Sequence, residues 1–174
     1  VTSLEIMDMS INSLEGIEAF ANLEILNCSV NALTMLDISN NLLLTKLNCD
    51  YNNLSSIDLR ENILLNDFTC RANQLTSLDF THNNSMVKID CLQNQLTSLE
   101  LGENQSLETL FCSYNQLTSL DVTQAPSLDL LYCDYNNLAT INLSQNIDLT
   151  YFVAYLNQIT ELNVHANTNL IRLD

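Results

Sequence analysis

Tryptophan is absent, and the 174 residues include only 2 Gly, 1 Pro, 2 His and 5 Lys or Arg. So little Gly and Pro excludes collagen-like and linker sequences. Five cations set against 21 acids leave a formal charge of −16. That balance argues against nucleic acids and anionic membrane surfaces, whose affinity for proteins comes largely from Lys and Arg. No apolar run approaches the roughly 20 residues of a membrane-spanning helix. A hydrophobic content of 47% is nevertheless too high for a disordered chain. The surplus lies in two residue types, with 34 Leu and 25 Asn.

Those residues recur on a fixed period. Cysteines stand at Cys28, Cys49, Cys70, Cys91, Cys112 and Cys133, each 21 positions after the last. Asparagines keep the same step at Asn31, Asn52, Asn73, Asn94, Asn115, Asn136 and Asn157. Leu26, Leu47, Phe68, Ile89, Leu110, Leu131, Phe152 and Leu173 form one apolar column. Leu33 to Ile159 and Leu36 to Leu162 head and close two more. Self-similarity at this period is the mark of a solenoid of stacked coils. Segments such as Leu110 to Leu117 alternate apolar and variable residues, the pattern of a short strand with one buried face.

The second half of each coil repeats the alternation, as in Leu120-Asp121-Val122, and is too short for an ordinary helix. The expectation is a mainly β solenoid of about eight coils. It has a parallel front sheet, a short strand or extended turn on the back of each coil, and little helix. The first coil departs from the frame. It takes a 22-residue step, and Ile17, Phe20 and Leu23 fall at helix-like intervals. The chain reads as a single repeat domain over residues 1–174, cut from a longer array.

The pattern L-x-x-L-x-C-x-x-N-x-L-T-x-L-D, clear in Leu107 to Val122, resembles the bacterial leucine-rich repeats with a cysteine ladder. Within that group it is similar to the internalin J type and to surface-protein repeats of Bacteroidetes. The likeness covers essentially the whole chain. It implies a curved solenoid in a secreted or surface-attached bacterial protein, with adhesion or partner binding as its task. It names no ligand.

The residues themselves say what the ladders do. Equivalent Cβ atoms on adjacent parallel strands lie about 4.8 Å apart, wider than the ~3.8 Å that a disulfide needs. The six cysteines are therefore read as free, buried, apolar fillers; no C-x-x-C clip points to a metal. The Asn31-to-Asn157 column follows each strand where the backbone turns, and its amides are expected to bond within the coil and to its neighbour. A second column, Asn41, Asn62, Asn83, Asn104, Asn146 and Asn167, is given the same role at the opposite turn.

Binding is sought on the outward positions of the front strands. Early coils are polar there, with Lys46, Asn48 and Asp50, then Asp67, Thr69 and Arg71. Later ones turn apolar and aromatic. Phe111, Leu130, Tyr132, Tyr151, Val153 and Tyr155 form a candidate ligand-binding platform, with Tyr114 and Tyr135 at the nearby strand ends. The same residues also satisfy strand propensity, so both readings stand. On the back, Asp37, Asp58, Asp79, Glu100 and Asp121 make an acidic column. It is read as a solvated face in preference to a calcium site, which would want 6–8 shaped oxygen ligands. His82 and His165 are nearly four coils, about 19 Å, apart and form no dyad. The expected function is a non-catalytic recognition module with no cofactor. Its partner is a protein or polysaccharide lying on the front, concave sheet. The alternative is a passive spacer, or an accessory module of a polysaccharide-degrading enzyme.

Overall fold

Alternation and period together produce one continuous sheet. The computed structural model describes residues 1–174 and holds eleven short strands. Nine pair in parallel down the front: β1 (Ser3–Glu5), β2 (Ile25–Asn27), β3 (Lys46–Asn48), β4 (Asp67–Thr69), β6 (Lys88–Asp90), β8 (Thr109–Phe111), β9 (Leu130–Tyr132), β10 (Tyr151–Val153) and β11 (Arg172–Leu173). Their register follows the sequence columns, as in Leu47 opposite Phe68 and Leu110 opposite Leu131. The 22-residue first step is also present, with Leu4 opposite Leu26. The helix-like intervals of that coil form a single 3-10 turn, Ile17–Ala19.

The inward columns make one core that runs the length of the stack, and most of its members are wholly sealed from solvent. Phe68 and Phe80, both fully buried, meet edge to face at 5.6 Å across the interior. All six cysteines are buried and free. Burial pushes every one of their thiols up, Cys28 and Cys133 to about 12. They are space-filling groups and poor nucleophiles.

On the back of the molecule the coils divide between strand and turn. Only one pair of back strands forms, β5 (Ser77–Asp79) with β7 (Ser98–Glu100). The aspartates of the acidic column, Asp79 at the end of β5 among them, also close turns. Asp37, Asp58, Asp79 and Asp121 each accept the backbone N–H two residues on, from Ser39, Arg60, Thr81 and Thr123. Asn142 and Asn163 do the same for Ser144 and His165. Each closes a tight turn that bends the chain out of strand geometry. Side-chain bonds from Ser39, Arg60, Thr81 and Thr123, and then these backbone N–H groups, hold the four aspartates below the usual carboxylate range, Asp58 at about 2.

Glu100 makes no such turn, being one methylene longer, and Gly102 turns the chain in its place with φ +63°. A Cβ at Gly102 would lie 2.8 Å from Thr81 Cα, so its glycine permits the close approach at which the two back segments pair.

The asparagine columns account for the turns. Asn115 donates from Nδ2 to the carbonyls of Cys112 and Ser113 in its own coil and of Cys91 in the preceding one. Its Oδ1 accepts the N–H of Leu96. Asn52, Asn73, Asn94 and Asn136 repeat this geometry. In the second column Asn62 donates to the carbonyls of Ile38 and Asn41. Asn83, Asn146 and Asn167 donate likewise. Immediately before each first-column Asn sits a residue in the left-handed region: Val30, Tyr51, Ala72, Gln93, Tyr114, Tyr135 and Leu156, with φ from 50° to 56°. None is Gly, Asn or Asp, the types that tolerate it best.

Candidate surface for partner recognition

Strand alternation turns three rows of side chains outward on the front sheet, and the rows differ in how much water they keep. In the first row Leu130 and Tyr151 are half-buried, standing beyond Lys46, Asp67 and Lys88 of earlier coils. In the middle row Phe111 and Tyr132 are half-buried, with ring centroids 5.0 Å apart. Val153, expected among the exposed platform, is instead buried at 3%. It lies opposite Tyr132 in the sheet register and between Tyr151 and Tyr155 on its own segment. A valine shorter than all three neighbours is screened by them. Phe111, Leu130, Tyr132, Tyr151 and Tyr155 thus keep exposed surface, and Val153 does not.

At the strand ends the aromatics stand free. Tyr114, Tyr135 and Tyr155 are 45%, 39% and 45% exposed. Tyr114 and Tyr135 stack at 4.2 Å with 14° between their planes, and Tyr155 meets Tyr135 edge-on at 5.4 Å. Offset stacking and edge contacts of this kind favour a fixed arrangement of rings.

The sequence reading missed a polar network beside this surface. Asp90 is fully buried and receives Arg71 through both Nε and Nη2. Arg71 in turn donates its backbone N–H to Asp50 at 2.6 Å. Burial pushes the Asp50 carboxyl up, opposed by that N–H and by the guanidinium. Further along the same edge, the Ser113 hydroxyl donates to buried Asp134. The 19-residue offset between Arg71 and Asp90 is the available signal, since it places the two on neighbouring coils.

Lys46, Asp67 and Lys88 line an open groove of about 200 Å³ with Asn27, Asn48 and Thr69. It is shallow, and its one ion pair, Lys88 with Asp67, spans 3.9 Å. No cluster of three or more His, Cys, Asp or Glu side chains is arranged to hold a metal ion. His82 and His165 are both exposed on the back, at the turns that follow Asp79 and Asn163.

Period, parallel register, sealed sulfur file and asparagine turns now stand together. The chain is a leucine-rich-repeat solenoid with a cysteine ladder. No family model and no curated protein matches it, but solved structures do. The functional domain of InlJ from Listeria monocytogenes, which includes a cysteine ladder, is 35% identical with a TM-score of 0.75 over 97% of this repeat chain. YopM from Yersinia enterocolitica is 26% identical with a TM-score of 0.78 over 99% of it. An internalin, InlF of Listeria monocytogenes, shares the fold at 20% identity and a TM-score of 0.57. The repeat chain spans 42% of the InlJ chain and 37% of the YopM chain. No helix is long and apolar enough to cross a membrane.

Proposed function

We propose that this solenoid is a non-catalytic module that recognises a protein through the front sheet of its later coils. One observation carries the reading: Phe111, Leu130, Tyr132 and Tyr151 make a half-exposed apolar surface, and three exposed tyrosines stand at the strand ends beyond it. Aromatic anchors of this kind dominate the energetics of protein interfaces. Likeness to internalin and YopM repeat proteins supports a protein-interaction role in general. By that likeness the protein is secreted or surface-attached. The front is an open sheet without an enclosed cleft, a poor setting for catalysis and a good one for a broad partner.

Screening this chain against protein and glycan arrays tests the reading. A protein hit that Tyr132→Ala/Tyr151→Ala weakens at least about tenfold, with folding retained, is the expected result. A hit that the double variant leaves unchanged moves the site off this surface. An empty screen favours a spacer, and a hit confined to glycans replaces the protein partner with a polysaccharide.

A further inference from the structure

The tyrosines at the strand ends are not required by the coil. Tyr51, Tyr114 and Tyr135 occupy the left-handed position before the ladder asparagine, and Val30, Ala72, Gln93 and Leu156 fill it at nearly the same φ. Two adjacent coils nevertheless place aromatic rings there, stacked on each other, and Tyr155 adds a third ring at the edge of the pair. The stack links two coils, but the left-handed backbone does not call for aromatic side chains there.

Charge is segregated along the same axis. Of the five cations, Lys46, Arg60, Arg71 and Lys88 lie in the early coils and Arg172 in the last strand. Between Ile89 and Ile171 the sequence has nine acids and not one Lys or Arg. The stretch holds five of the six tyrosines. Asp134 lies buried along the same edge, one residue before Tyr135. The rim thus combines electron-rich ring faces with the buried Asp134 carboxylate, and the one cation near it, Arg172 beside Tyr155, is already paired with Asp174.

We propose that this rim takes a basic segment of a protein partner, with an arginine guanidinium laid against the outer face of Tyr114, the end ring of the stack. The proposal rests on the protein-recognition reading and specifies the chemistry of the partner. Arginine fits better than lysine because its planar group stacks on an aromatic face and is more weakly hydrated. The field of a chain carrying −16 would also speed its approach.

Fluorescein-labelled peptides of alternating arginine and glycine, lysine and glycine, and glutamate and glycine, each twelve residues long by design (about 40 Å when extended), provide the probes for anisotropy titrations. The arginine peptide is expected to bind in preference to the lysine peptide, and the glutamate peptide not at all. Tyr114→Gln/Tyr135→Gln should weaken the arginine peptide about fivefold or more without altering net charge. Glutamine already sits at this backbone position in Gln93, and Tyr135→Leu, which copies the side chain of Leu156, is a second variant should the first fail to fold.

Equal binding of the arginine peptide to native and rim-variant protein would overturn the proposal, because bulk acidity would then account for it. Binding of the glutamate peptide or of neutral cellohexaose in preference to arginine would do the same. Loss of binding in Tyr132→Ala/Tyr151→Ala but not in the rim variants overturns the rim while leaving front-sheet recognition intact.

Discussion

Residues that are neither glycine nor asparagine hold φ near +50° once per coil, and a β-branched Val30 is the most strained type among them. Such a conformation costs an L-residue roughly 1–2 kcal/mol, of which glycine's larger unfolded-state entropy takes back part. Val30 is 42% exposed, so little burial is lost on truncation. Val30→Gly is therefore expected to raise stability by about 0.5–1 kcal/mol in urea unfolding. The left-handed column was not legible in the sequence because the usual glycine or asparagine marker is missing from it. Arg71 and Asp90 present the opposite case. Removing the guanidinium strands a fully buried carboxylate, so Arg71→Ala should cost about 3 kcal/mol. Arg71→Ala/Asp90→Ala should recover part of that loss, as a double-mutant cycle by chemical denaturation would read.

Within each coil, the turns and not the strands contain the least replaceable side chains. A front strand has only two or three residues, and its hydrogen bonds are supplied by its neighbours in the stack. Asn115, by contrast, satisfies three carbonyls and one N–H across two coils. Asn115→Ala should cost about 2–3 kcal/mol, read as a lower urea midpoint with little change in slope. Tyr114→Gln beside it should cost much less. The front sheet and these turns were legible in the sequence because inward positions repeat without exception and a period-two pattern fixes their facing. The back was less legible. Alternation there predicts strands, but Asp37, Asp58 and Asp121 close two-residue turns outside any strand, and pairing survives only where Gly102 lets the chains approach. Val153 shows a further limit: facing follows from the pattern, whereas exposure depends on the height of neighbouring side chains.

For the molecule as a whole, the sulfur file sets the alkaline limit of stability. An unfolded cysteine ionises near pH 8.5, while burial holds every native thiol above that, Cys28 and Cys133 at about 12. The folded state therefore keeps protons that the unfolded state has lost. Stability is fully present below the unfolded pKa and falls as pH rises from there toward the native value. The slope is roughly 1.4 kcal/mol per thiol for each pH unit. Urea midpoints should drop steeply between pH 9 and pH 11 (a window set by those ~8.5 and ~12 limits), and Cys112→Ala/Cys133→Ala should flatten the decline by about a third. Alanine fits this file, since Ala154 holds the next slot, 9% exposed.

The uniform coil length carries a consequence for how such a surface changes over generations. Because each rung from the second onward meets its neighbour through the same set of contacts, excising 21 consecutive residues rejoins like with like. One rung fewer would bring the lysines and the tyrosines nearer by about 4.8 Å and leave both chemistries intact. The spacing of the two surfaces thus changes in whole steps of one rung.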